Sequence, residues 1–135
     1  MDAKEINRRV VEQFRAGGDI PGMHRDRLLL LTTIGRSSGK SRTTPMMFHR
    51  DGDHLYVVAS DNGAKKDPSW YRNLMKDASV GVEVGHEKYD AVASTVEGDE
   101  RATVWASITA ANPFFLEHQA GVEREIPVVE LNRVS

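Results

Sequence analysis

The sequence predicts an α+β domain built on an antiparallel, barrel-like sheet, and three observations carry this prediction. About six short apolar or alternating segments are typical of strands, most of them are joined by glycine-containing turns, and three or four segments have helical spacing. The chain has 135 residues, of which 39% are hydrophobic. That is enough for one core, and the chain is too short for two domains of ordinary size.

The first predicted element is an amphipathic helix. Ile6, Val10 and Phe14 recur at helical spacing, with Asp2 before them as an N-cap. We expect residues 1–24 to form this helix and a linker, and residues 25–135 to form the barrel.

Three strands are predicted next, over residues 27–34, 43–48 and 55–59. Pro45 marks the second of them as an edge strand or a bulge, because proline cannot donate to a sheet. Asp51-Gly52 is typical of a hairpin turn and joins the second strand to the third.

The second half of the chain predicts two or three helices and three further strands. Asp67 is the predicted cap of a short helix that has Pro68 at its first helical position. Another helix begins at Asp99, and Asn112-Pro113 breaks it. The strands are predicted over residues 80–84, 88–96 and 126–131.

Charge is unevenly distributed along the chain, although the net charge is only −2. Residues 25–50 hold six basic residues and one acidic residue, whereas residues 83–130 hold ten acidic and three basic residues. Within the basic segment, residues 35–41 resemble a phosphate loop, but three residues separate the two glycines where a phosphate loop has four. Glycine N–H groups, the hydroxyls of Ser37 and Ser38, and the charges of Arg36, Lys40 and Arg42 nevertheless predict an anion site. A plain glycine turn is the alternative.

Other kinds of site receive no support from the sequence. The absence of cysteine excludes disulfides, thiolate metal sites and cysteine nucleophiles. The five histidines lack metal-ligand spacing, so we expect no metal site. A nucleic-acid partner is disfavoured by the mildly acidic composition. With no signal sequence and no apolar run that could span a bilayer, we expect a cytoplasmic protein, with membrane-surface contact through the first helix as an alternative.

Four stretches of the sequence together resemble a known family. They are Thr32 to Pro45 with its Gly-Arg-Ser-Ser-Gly loop, Val58-Ala59-Ser60, Lys66 to Leu74 with its Pro-Ser-Trp-Tyr-Arg-Asn helix, and Arg124 to Val129, and Asp51-Gly52 adds a fifth, shorter match. On these motifs the chain resembles the deazaflavin-dependent nitroreductases and quinone reductases, which use coenzyme F420. The resemblance covers nearly all of the chain from Leu28 onward.

The resemblance implies a split β-barrel, related to that of flavin-binding oxidases, in which reduced F420 donates a hydride to a quinone or a similar acceptor. It assigns the anion site to the phosphodiester and polyglutamate tail of the cofactor. The residues implied to bind the cofactor are Arg36, Ser37, Ser38, Arg42, Thr43, Thr44, Pro45, Met46, Met47, Val58, Ala59, Ser60, Asp61, Lys66, Ser69, Trp70, Tyr71 and Asn73.

Ser60 and His118 are the side chains expected to assist the reaction. The resemblance places the acceptor against Met47, Asn112, Phe115 and His118. In the nitroimidazole-activating relative, tyrosines occupy the matching positions, so we expect quinone reduction here rather than nitroimidazole activation.

Two rival functions remain open at this point. The first is a split-barrel oxidoreductase that uses flavin mononucleotide (FMN), whose single phosphate would leave Lys40, Lys65 and Lys66 without a role. The second is a non-catalytic carrier of the deazaflavin or of a lipid. The sequence does not predict an oligomeric state.

Overall fold

The computed structural model describes residues 3–17 and 25–134, which form a seven-stranded antiparallel sheet and four α-helices. The helices are α1 (Ala3–Ala16), α2 (Ser69–Lys76), α3 (Gly98–Ala111) and α4 (Phe114–Ala120). The strands are β1 (Leu28–Ile34), β2 (Ser41–Met47), β3 (His49–Asp51), β4 (His54–Val58), β5 (Ser79–Val84), β6 (Glu87–Thr95) and β7 (Val128–Arg133). A short 3₁₀ turn, Arg25–Arg27, leads into β1.

The order of the strands in the sheet is β2-β1-β5-β6-β7-β4-β3. The two outermost strands, β2 and β3, are separated along the chain by Phe48 alone. The sheet therefore has to curl until its ends meet, and the backbone N–H of Phe48 donates to the carbonyl of Arg27 at 3.3 Å. The predicted α+β split barrel is confirmed, and Pro45 lies on an edge strand as predicted. The structure has seven strands where the sequence predicted about six, and the additional strand is the three-residue β3.

Strand β1 is buried on both faces. Leu29 and Leu31 point into the barrel, whereas Leu28 and Leu30 pack under α1. Phe14 of α1 completes the outer cluster. A strand that is covered on both faces reads as a continuous apolar run, which explains the four consecutive leucines.

A second helical layer covers the outer face of the sheet at β4 and β7. Val104 and Ile108 of α3 and Phe115 of α4 pack on Tyr56 and Val128, which are outward-facing residues of β4 and β7. The α3–α4 pair is thereby fixed against the barrel wall by apolar contacts.

The start of α2 differs from the prediction. Pro68 is the N-cap residue, with φ −66° and ψ 156°, and Ser69 is the first helical residue. Asp67 makes no cap because its carboxylate accepts a hydrogen bond from the guanidinium of Arg124 at 2.9 Å. Asp2, the predicted cap of α1, lies outside the described residues.

No helix among residues 3–17 and 25–134 is both long enough and apolar enough to cross a membrane.

One stability contribution should depend on pH through His54. Its Nδ1 lies 2.6 Å from a carboxylate oxygen of Glu130, and this hydrogen bond raises the pKa of His54 above its ordinary 6.5. The pair therefore stabilises the fold fully below that ordinary value, and the contribution is lost as the pH rises through the folded-state pKa. We expect His54→Asn to lower the free energy of unfolding more at about pH 5.5 than at about pH 8.5. Urea titrations at the two pH values measure these free energies of unfolding. In a Glu130→Gln background, the effect of His54→Asn should be the same at both pH values.

Candidate active site

A groove of about 930 Å³ runs between α1, the β1–β2 loop and the start of α2. Its size is within the range of ordinary ligand pockets. Ten of the predicted cofactor residues line it, together with residues that were not predicted. The predicted ones are Arg36, Ser37, Ser38, Arg42, Thr43, Thr44, Asp61, Ser69, Trp70 and Asn73, and the others are Lys4, Asn7, Arg8, Val11, Glu12, Arg15, Thr33, Gly35, Ser41 and Pro68.

The β1–β2 loop is a tight turn that closes on itself. The N–H of Gly35 donates to the carbonyl of Lys40, and the N–H of Gly39 donates to the carbonyl of Gly35, each at 2.8 Å. A Cβ on Gly35 would lie 2.6 Å from the Ser38 hydroxyl oxygen and 3.2 Å from the Lys40 carbonyl oxygen, so a side chain there would displace the serine hydroxyl and crowd the loop backbone. The expectation that glycine N–H groups bind an anion is therefore wrong, because both are used inside the loop.

Asn73 fixes this loop to α2. Its side-chain oxygen accepts hydrogen bonds from the backbone N–H of Arg36 at 3.2 Å and from the Arg36 guanidinium at 2.8 Å. Its amide nitrogen donates to the hydroxyl of Thr33, which is fully buried. Lys76 of the same helix donates to the Arg36 carbonyl at 2.7 Å. Asn73 thus acts mainly by holding Arg36 in place.

Arg42 lies on β2, lines the groove and is exposed. Within the part of the chain that the structure describes, its guanidinium makes no hydrogen bond or ion pair with the protein. An unpaired guanidinium that faces a groove offers five N–H donors and a permanent positive charge to an anionic ligand.

Helix α1 forms the wall opposite the loop, which the sequence did not predict. Arg15 makes a two-point contact with Glu83 on β5, at 3.0 and 2.9 Å, and this hydrogen bonding raises the pKa of Arg15. Arg8 pairs within the helix with Glu5 and Glu12. The helical periodicity identified the apolar face of α1, but it carried no information about where its polar face docks.

Ser60 and His118 are brought together although they are 58 residues apart in the chain. The Ser60 hydroxyl oxygen lies 2.7 Å from Nδ1 of His118 and accepts the N–H of Gly63 at 3.1 Å. When Ser60 donates its hydrogen to Nδ1, the imidazole proton is on Nε2. The rings of Phe114 and Phe115 pack edge-on against this imidazole.

Several predicted residues lie away from the groove. Tyr71 and Ala59 have core side chains, and the Tyr71 hydroxyl is hydrogen-bonded to Thr95. Their side chains do not line the groove, and contact of these two residues with the cofactor stays a prediction. Other predicted cofactor residues also lie off the groove lining: Pro45, Met46, Met47, Val58, Ser60 and Lys66. Lys40 and Lys65 lie off it as well.

The residues predicted to contact the acceptor are partly brought together. Met47, Asn112 and Phe115 line a small apolar depression with Val58 and Tyr56. His118 is one helical turn from Phe115, and their ring centroids are 5.9 Å apart. Phe115 is only 9% exposed and packs into the α3–α4 layer. Its contact with an acceptor remains a prediction.

The curled antiparallel sheet defines the chain first as a split barrel, with a basic groove beside the β1–β2 loop. At this level it is similar to the heme storage protein HutZ of Vibrio cholerae, with a TM-score of 0.61 at 18% identity over 94% of this chain and 89% of that one. A solved F420-H2 dependent reductase is much closer in sequence, at 35% identity and a TM-score of 0.73. The match covers 82% of this chain and all of the other.

Residues 4–133 match the F420H(2)-dependent quinone reductase family, and the chain belongs to it. An F420H(2)-dependent quinone reductase of Mycobacterium tuberculosis is 34% identical over 122 residues, which cover 88% of this chain and 80% of the relative. A further structure, described as a domain-swapped dimer, has a TM-score of 0.75 at 32% identity and covers 97% of this chain and 100% of its own. The family predicted from the sequence is confirmed.

The anchoring role of Asn73 can be measured through stability. Asn73→Ala leaves the Arg36 N–H and guanidinium and the Thr33 hydroxyl without this partner, so the free energy of unfolding should fall by about 1–3 kcal/mol. Asn132 is an exposed asparagine with two hydrogen bonds of its own, and Asn132→Ala should change stability by no more than about 0.5 kcal/mol. Urea unfolding of both variants decides the matter, and equal effects would contradict the anchor.

Proposed function

We propose that the protein transfers a hydride from reduced coenzyme F420 to a quinone. The observation that carries the proposal is the groove beside the β1–β2 loop, which Arg42 lines as an exposed side chain with no hydrogen-bond or ion-pair partner among residues 3–17 and 25–134. Membership of a family named for F420H(2)-dependent quinone reduction supports the same conclusion.

The groove suits the anionic parts of F420. Arg36 uses one guanidinium nitrogen on Asn73 and Ser69, and its other two nitrogens have no protein acceptor among the described residues. Hydroxyl groups line the groove around Arg36 and Arg42, from Ser37, Ser41 and Thr44 among others. Guanidinium and hydroxyl donors are the groups that bind phosphate and carboxylate oxygens best. We therefore assign the phosphodiester and the polyglutamate tail to this segment.

Ser60 and His118 are proposed to serve the acceptor. Bound reduced F420 supplies the hydride, so the protein has to bind, orient and exclude water. A quinone that gains a hydride develops negative charge on oxygen, and a fixed donor close by stabilises that charge. The Ser60–His118 hydrogen bond aligns the two groups. When the Ser60 hydroxyl donates this hydrogen bond to Nδ1, the proton of the neutral imidazole is on Nε2, which can donate to the acceptor.

The surroundings of this pair favour a lipophilic quinone over a polar nitro compound. Phe114 and Phe115 flank the imidazole, and Met47 is an exposed apolar side chain at the neighbouring depression. Packing a flat hydrocarbon ring against these apolar side chains is favourable, whereas the same side chains offer few hydrogen-bond donors to a nitro group. We accordingly assign the acceptor to the Met47, Asn112, Phe115 and His118 side of the protein.

A competition titration followed by a turnover test examines the proposal. The purified protein should bind F420 more tightly than FMN. The groove is lined by more cations than a single phosphate needs, and the additional cations can pair with the carboxylates of the F420 tail. Adding menadione to the complex with reduced F420 should then restore the absorbance of oxidised F420. Tighter FMN binding would favour the flavin enzyme, and binding without oxidation would favour the carrier.

Arg42 should contribute to cofactor affinity. We expect Arg42→Ala to raise the dissociation constant of F420 by about tenfold to a hundredfold, since a charge-assisted hydrogen bond is lost. Arg72 is an exposed arginine on α2 that does not line the groove. Arg72→Ala should therefore change the dissociation constant of F420 by less than about twofold. Fluorescence titration at two salt concentrations measures both. A loss of equal size in the two variants would mean that only net charge matters.

The acceptor role of His118 should appear in the oxidation rate. His118→Phe keeps the ring packing but removes both nitrogens, and we expect the single-turnover rate with menadione to fall by about a hundredfold or more. His86→Phe makes the same chemical change on the exposed β5–β6 turn and should leave the rate unchanged. Stopped-flow absorbance gives these rates. An unchanged rate in His118→Phe would show that solvent supplies the proton.

A further inference from the structure

The turn that follows Ser60 has an unusual backbone. Asp61, Asn62 and Gly63 have φ values of 50°, 55° and 77°, three successive residues in the left-handed region. Each non-glycine residue in that region carries a conformational cost, even though aspartate and asparagine tolerate it better than most. Such a turn persists only when its surroundings hold it.

Arg124 supplies that support. Its guanidinium donates to the carbonyls of Ser60 at 2.8 Å, Ala64 at 3.0 Å and Ala59 at 3.1 Å, and to the carboxylate of Asp67 at 2.9 Å. Four acceptors in total, some before the turn and some after it, therefore bind one largely buried cation. Three of them are backbone carbonyls, so a planar fork with several fixed donors is required rather than a point charge.

The same segment is also connected to His118. The neighbouring Gln119 donates from its side-chain nitrogen to the carbonyl of Arg124, and its side-chain oxygen accepts the N–H of Ile126, both at 2.8 Å. These contacts form a closed ring. Hydrogen bonds join Ser60 to His118, Gln119 to Arg124, and Arg124 to the Ser60 carbonyl, and the peptide chain joins His118 to Gln119.

We propose that Arg124 is a positioning residue that holds Ser60 and His118 in register for the acceptor. This inference rests on the proposed function for the identity of the reaction. Arg124 does not line the groove, so it acts through the turn. The backbone N–H of Gly63 reports the geometry directly, because it donates to both the carbonyl and the hydroxyl of Ser60.

The test compares Arg124→Lys with two controls. Lysine keeps the charge but cannot serve four acceptors from fixed positions. Asp67→Asn keeps the three carbonyl contacts. Arg101→Lys changes a similarly buried arginine that donates to the carbonyl of Ile126 and packs on Trp105, without touching the turn.

Hydrogen exchange without cofactor is the first readout. In Arg124→Lys the Gly63 amide should exchange about tenfold faster or more, while amides of the central strands β5 and β6 keep their rates. Both controls should leave Gly63 within about threefold of the original protein. Unchanged exchange at Gly63, or equal acceleration across the sheet, would overturn the inference.

Kinetics with reduced F420 and menadione is the second readout. We expect kcat to fall about tenfold in Arg124→Lys, with KM for menadione and the F420 dissociation constant within about threefold, because only the alignment of the reacting pair changes. Faster Gly63 exchange with an unchanged kcat would overturn the positioning role. If the original protein shows no turnover, the proposed function fails, and the exchange data still decide whether Arg124 holds the turn.

Discussion

The architecture depends on one covalent constraint, which is that a single residue joins the two edge strands of the sheet. β2 ends at Met47 and β3 begins at His49, yet these strands lie at opposite ends of the strand order. A flat seven-stranded sheet would separate them by several strand widths, at nearly 5 Å each. Curling is therefore obligatory, and it brings the end of β4 to the same rim as the β1–β2 loop, where Asp61 lies on the groove beside Arg42.

The fold was predictable from the sequence because most of its elements carry strong local signals. Val80, Val82 and Val84 alternate with less buried residues, and β5 shows the same alternation in burial. The Asp51-Gly52 turn fixed a hairpin, with Gly52 at φ 60°. β3 escaped prediction because three residues are too few to establish a period.

The site was less predictable because its geometry comes from contacts between distant residues. Arg36 and Asn73 are 37 residues apart, and Ser60 and His118 are 58 apart. No local pattern encodes such pairs. The groove wall formed by α1 was missed for the same reason, since a polar helix face looks alike whether it borders solvent or a ligand site.

Helix geometry explains which residues of α2 line the groove and which do not. The resemblance assigned Ser69, Trp70, Tyr71 and Asn73 to the cofactor, but consecutive helical residues point about 100° apart and cannot all face one groove. Ser69, Trp70 and Asn73 share the groove face, whereas Tyr71 turns into the core. A motif that is contiguous in sequence is therefore divided between the groove lining and the core.

The burial of β1 on both faces has a consequence for how the two halves of the site respond to ligands. The β1–β2 loop extends from a strand whose four leucines are each held by packing, and Asn73 ties it further to α2. Cofactor binding on that side should require little reorganisation, so little ordering entropy is lost there. Two of the four residues proposed to contact the acceptor, Phe115 and His118, lie on the short helix α4, which belongs to a separate layer. Changes in acceptor preference can therefore accumulate on α4 without disturbing the preorganised half.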